Sequence, residues 1–264
     1  MNSDTKFLLI GGCSFSERIP YDMHEVAWKS WTNFFQDDSL NFFPNVIPIN
    51  RAVESSGNSK IVDSILENTI GNPLDTPDKN HNIEYVIVQW SAVGRGYSNN
   101  ESDFAKRIIE WENYNLFNYE EELVSRELEY GQVTDRLNHV SYRYYQYSLH
   151  KILLLKNYLE NNNIPYLFFW GWQQLTDELI KEYNLSKLVD LIYDGNWWRY
   201  DTHGGLSEYV IDKLGNGSDV IKPNDFHPTT KAHKYFYENI MKDEIIKLTK
   251  LQYKKVDTQE EGMG

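Results

Sequence analysis

Residues 6–16 read KFLLIGGCSFS, from Lys6 to Ser16. Four consecutive apolar residues, Phe7 to Ile10, run into the glycine pair Gly11-Gly12. The run is too short for a helix and shows no polar alternation. It predicts a strand buried on both faces and closed by a tight turn. Glu84–Trp90 (EYVIVQW) is β-branched, bounded by polar residues, and predicts a second such strand. Asn45–Asn50 (NVIPIN) and Pro165–Gly171 (PYLFFWG) supply two more, with Pro48 placing the former at an edge.

Helical spacing fills the gaps. Trp28, Trp31 and Phe35 share one face of Ala27–Phe35, and Ile61, Ile65 and Leu66 form a stripe in Ser59–Thr69. Tyr142–Leu159 is amphipathic and stops at Asn161-Asn162-Asn163. Leu175–Leu191 and Thr229–Leu251 read as single helices, and the Gly/Trp-rich stretch 195–217 reads as loop. Strands alternating with helices predict an α/β domain: three layers (α/β/α) around a flavodoxin-like parallel sheet. Residues 95–140, rich in Glu, Asn and Tyr, read as a helical insertion. The domain spans 1–253, and 254–264 is a polar tail.

Composition bounds the function. The chain has 264 residues, 41% hydrophobic and 25% charged, within the ordinary globular range. Lys and Arg number 26 against 39 Asp and Glu, a net charge of −13, so a nucleic-acid partner is not expected. The single cysteine, Cys13, excludes an internal disulfide and a Cys-based zinc site. No apolar window reaches the ~18 residues of a membrane span, so no membrane partner is expected, and the apolar run at the start is too short for a signal peptide. We read a cytoplasmic protein, with packaging into a particle such as a virion as the alternative. Aromatic residues make up 15% of the chain, which suits a site or surface that stacks on flat or sugar-like groups. There is no P-loop and no G-x-G-x-x-G, and no histidine has metal-ligand spacing, so neither a cofactor nor a metal is expected.

In parallel sheets the site lies beyond the carboxyl ends of the strands. Four stretches fall there: Gly12-Cys13-Ser14, Gly57-Asn58, Gln89-Trp90-Ser91, and Asp225-Phe226-His227-Pro228 before the last helix. A serine hydroxyl needs a base to take its proton and a third group to orient that base. Ser14 is the candidate nucleophile, His227 the candidate base, and Asp225 or Asn224 the orienting group. Donors for an oxyanion are the N–H groups of Ser14 and Gly57, with Asn58 and Ser91 as further candidates.

Together these residues resemble the SGNH, or GDSL-type, hydrolase family. Gly12-Cys13-Ser14-Phe15 is similar to the family's first block, with Cys13 where an aspartate is usual. Gly57 is similar to the oxyanion glycine of the second block, and His227 to the histidine of the last. The family's aspartate stands three residues before that histidine, where this chain has Asn224; Asp225 stands two before, the same side of an extended loop. The third block's GxND is replaced by Gln89-Trp90-Ser91-Ala92. The set of variant blocks is similar to members common in bacteriophage genomes. The resemblance implies the SGNH fold and a serine esterase using Ser14, His227 and Asp225, on a small-molecule or glycan ester such as an O-acetylated carbohydrate. A non-catalytic binding or virion protein on the same fold, and an O-acyltransferase, are the alternatives.

Other features read as structure. Cys13 points opposite to Ser14, into the core. His203-Gly204-Gly205 lies too late for the oxyanion loop of larger lipases, and no G-x-S-x-G is present. His233 falls inside the last helix, Arg95 reads as an exposed or paired arginine, and Trp170, Trp172, Trp197 and Trp198 read mostly as packing.

Overall fold

The computed structural model describes residues 6–16, 29–42, 46–53, 56–70, 82–91, 130–222, 227–248 and 250, without the side chains of 39–42, 82 and 130–144. Five parallel strands form one sheet: β1 (Lys6–Gly11), β2 (Val46–Asn50), β3 (Asn82–Trp90), β4 (Tyr166–Trp170) and β5 (Trp197–Trp198). Their order is β2-β1-β3-β4-β5. From β1 the chain moves outward to β2, then returns to the other side for β3, β4 and β5. The reversal between β1 and β3 leaves a crevice beyond their carboxyl ends.

Alternation along each strand feeds two cores. Leu8, Ile10, Tyr85, Ile87, Leu167 and Phe169 enter one. It is covered by α1 (Trp31–Phe42), α6 (Leu206–Leu214) and α7 (Thr230–Phe236), α7 running on through a wider turn at Tyr237–Met241. Leu9, Val86, Val88, Trp90, Phe168 and Trp170 enter the other. That face is covered by α2 (Asn58–Ile70), α3 (Tyr130–Asn161), α4 (Asp177–Glu182) and α5 (Ser186–Tyr193). Burial on both faces is why the strands read as continuous apolar runs. The three-layer α/β/α architecture and the edge position of β2, with its Pro48, are as the sequence implies.

Several boundaries differ. Leu175–Leu191 is two helices, because Asn184 takes a left-handed backbone (φ 51°) and Leu185 N–H closes back on Ile180 O at 2.9 Å, a helix stop. The stretch 195–217 is not all loop. It holds β5, whose two tryptophans pair with Phe168 and Phe169, and α6, which starts at Gly205. Helix α3 begins at Tyr130, so the helix expected from Tyr142 starts earlier and takes in 130–140; 92–129 lies outside the described residues. The first helix begins at Trp31, with 17–28 outside the described residues. Residues 251–264, the expected tail among them, lie outside them too.

Candidate active site

The glycine pair after β1 leads into a turn closed by Ser16 N–H donating to Cys13 O at 2.9 Å. Ser14 is the second residue of that turn and only 6% exposed. Its hydroxyl lies 2.6 Å from Nε2 of His227, across 213 positions of sequence. Cys13 is buried with Sγ 3.3 Å from Gln89 Oε1, so it faces inward.

His227 is placed by backbone pairing just ahead of α7. Lys222 N–H donates to His227 O at 2.9 Å, and Thr229 N–H donates to Val220 O at 2.8 Å. Thr229 then caps α7 by accepting from Ala232 N–H. The Phe15 ring meets His227 edge-on at 4.9 Å and leans on Trp172 at 5.0 Å. With Nε2 turned to Ser14, the other ring nitrogen is the one that needs an orienting acceptor. Asp225 and Asn224, the two candidates for that role, lie outside the described residues.

His233, one turn into α7, is fully buried and meets Phe15 edge-on at 6.2 Å. Burial, then the nearby positive charges of His227 and Lys222, push its pKa down to about 3. It stays neutral beside His227 at neutral pH.

Gly57 O accepts the first helical hydrogen bond of α2, from Ile61 N–H at 3.1 Å. Gly57 therefore caps the helix, where N–H groups carry partial positive charge. Among the described residues no acceptor takes the N–H of Ser14 or of Gly57. Asn58 and Ser91, by contrast, hold each other: Ser91 N–H donates to Asn58 Oδ1 at 2.8 Å, and Asn58 Nδ2 donates to Ser148 Oγ at 2.7 Å. All three are buried. The Ser91 N–H is thereby committed within the protein, and the pair works as a clasp between α2, the end of β3 and α3.

Sequence reasoning assigned no role to three members of this end of the sheet. Gln89 Oε1 lies 3.3 Å from each of Cys13 N, Cys13 Sγ and Ser16 Oγ. Ser16 Oγ accepts from Trp31 Nε1 at 2.8 Å, and Ser148 anchors Asn58. A glutamine inside an otherwise apolar strand was the available signal for the first. The partners of the other two lie too far along the chain to be read from it.

A second histidine stands beyond β4 and β5. His203 Nε2 lies 3.1 Å from Asp177 Oδ1, its ring stacks on Tyr193, and Tyr193 OH accepts from Trp170 Nε1 at 2.9 Å. A cleft of about 330 Å³ opens there, lined by Gln173, Asp177, Tyr200, His203 and Glu208 among others. Gly204 and Gly205 next to His203 are structural: a Cβ on either would clash with backbone, Tyr200 O or Trp170 O respectively. Trp197 and Trp198 pack against the two cores and do not form a platform.

An alcohol at hydrogen-bond distance from an imidazole, at the sheet's reversal point and beside a helix start, can lose its proton as it attacks an electrophilic carbon. No family model matches the chain, and no curated protein matches it in sequence. Among solved structures, 28 chains match. One is the psychrotrophic esterase EstA from Pseudoalteromonas sp., inhibited by monoethylphosphonate (12% identity, 92% of this chain, 98% of that chain, TM-score 0.48). Another is TesA (10% identity, 92% and 99%, TM-score 0.45). A third is AlinE4, an SGNH-hydrolase family esterase (13% identity, 92% and 96%, TM-score 0.40). At these identities and TM-scores the chemistry rests on the side chains of the chain itself.

Proposed function

We propose that the chain is a serine esterase of the SGNH type. The observation that carries the reading is the 2.6 Å approach of Ser14 Oγ to His227 Nε2. Ser14 Oγ attacks the ester carbonyl while its proton passes to Nε2. The tetrahedral oxyanion sits against the N–H groups of Ser14 and Gly57, the latter at the positive end of α2. Collapse expels the alcohol, which takes the proton from His227 and leaves an acyl-Ser14 ester. Water then attacks as it gives its proton to His227, and collapse releases the acid while His227 returns that proton to Ser14 Oγ. Asp225 is the orienting group we assign to the second ring nitrogen. Asn58 contributes by holding the α2 start, and Ser91 by holding Asn58.

For the alcohol we favour a polar, carbohydrate-like group carrying an O-acetyl ester. Trp172 touches Phe15 beside Ser14, and the polar cleft begins at the next residue, Gln173. Hydroxyl-bearing and carboxylate side chains there suit a sugar better than an acyl chain. One observation favours a non-catalytic binding protein instead: among the described residues, the Asn58 side-chain amide and the Ser91 N–H, which could stand in for the asparagine that the family aims at the oxyanion, are engaged with each other and with Ser148.

A fluorophosphonate separates these readings. The esterase reading expects stoichiometric labelling of the wild type, absent in Ser14→Ala, together with faster acetate release from O-acetylated sugars than from long-chain esters. A well-folded wild type that takes no label supports the binding protein.

A further inference from the structure

We infer that Gln89 is a positioning residue for the nucleophile, acting through the turn that carries Ser14. The inference rests on the esterase reading above. Gln89 is fully buried on β3, one residue before its end, on the face that Tyr85 and Ile87 fill with apolar side chains. A buried amide without partners costs about 1–3 kcal/mol, so a glutamine here must be satisfied. It is. Its Oε1 accepts from Cys13 N–H and Ser16 O–H, with the Cys13 thiol at the same 3.3 Å, and its Nε2 donates to Trp90 O.

Two glycines make room for it. A Cβ on Gly12 would come 3.2 Å from Gln89 Oε1, and a Cβ on Gly171 would overlap Gln89 Nε2. The side chain thus lies between the ends of β1 and β4, with a small residue on either side. Its acceptor grips the residues that flank Ser14 in the turn and leaves Ser14 alone. The Ser14 hydroxyl is then free for His227, and its N–H for the developing oxyanion. A displacement of about 1 Å in such a group costs on the order of 10²-fold in rate.

The test is the saturation kinetics of fluorophosphonate labelling, with the folded state checked by thermal melting. Gln89→Met keeps the length and apolar packing and removes the oxygen acceptor. It is expected to label about 10²-fold more slowly at saturation, with the half-saturating concentration unchanged. Gln89→Glu, held protonated by burial so that it keeps the acceptor and an O–H donor toward Trp90 O, is expected to recover most of that rate. A folded Gln89→Met that labels at the wild-type rate overturns the inference, as does a loss confined to the half-saturating concentration. Should Gln89→Met fail to melt cooperatively, Gln89→Asn, one methylene short, takes its place with the same two outcomes. A wild type that takes no label at all fails the esterase reading, and the inference with it. A wild type that labels at Ser14 leaves only Gln89 in question.

Discussion

Two imidazoles stand beyond the carboxyl ends of this sheet, and their settings are opposite. His227 meets a buried serine in a tight turn. His203 meets an aspartate whose side chain is 82% exposed, on the wall of an open cleft of about 330 Å³. The second place has the room and the first has the chemistry. A carboxylate–imidazole pair without a nucleophile cannot begin acyl transfer, whereas a serine–imidazole pair can. On the proposed reading, position at the β1/β3 reversal, rather than cavity size, marks the reacting centre, and the cleft is where a substrate's remote part would rest.

Exchanging the two sites' histidines breaks or confirms that contrast most sharply. Ser14→Ala is expected to lower kcat on a soluble acetyl ester by about 10⁶-fold, and His227→Ala by a comparable factor. His203→Phe should leave kcat unchanged on a small ester lacking a remote group. A His203→Phe enzyme as dead as His227→Ala would move the reacting centre to the cleft.

The next effect is on stability. Asn58→Ala strips the partner from the buried Ser91 N–H and from Ser148, and should cost about 3 kcal/mol in denaturant unfolding. A change within experimental error would mean that the clasp beside Gly57 holds nothing.

A further effect on stability depends on pH. His233 has its pKa pushed down to about 3 from 6.5, so the unfolded chain binds a proton there that the folded chain refuses. This contribution is intact above about pH 6.5 and is lost as pH falls toward the folded value, by up to ~1.4 kcal/mol per pH unit. His233→Phe should flatten the pH dependence of Tm over that window; an unchanged slope would contradict the assignment. The smallest effect is the ion pair of the cleft. With Asp177 this exposed, Asp177→Asn should change stability by less than ~1 kcal/mol.

What the sequence disclosed follows the same division. β1, β3 and β4 were legible because a strand buried on both faces leaves an uninterrupted apolar run, and Gly11-Gly12 marked the turn that lifts Ser14. β5 was not, because Trp197 and Trp198 are two residues, too few to show a period. The break between α4 and α5 rests on the backbone of Asn184, which a helical stripe does not record. At the site, Ser14 and His227 could be named because their order and chemistry are distinctive. The clasp could not, since Ser148 reaches Asn58 across 90 positions from the middle of a long helix. Asn58 and Ser91 look like donors on paper, and only their mutual hydrogen bond reveals that they face each other.

The most direct measurement is the site of covalent attachment. After reaction with a fluorophosphonate and digestion, mass spectrometry should find one adduct, on the peptide bearing Ser14, and none when His227 is replaced by Gln. An adduct on any other residue, or undiminished modification of Ser14 in folded His227→Gln, would contradict proton transfer between these two groups.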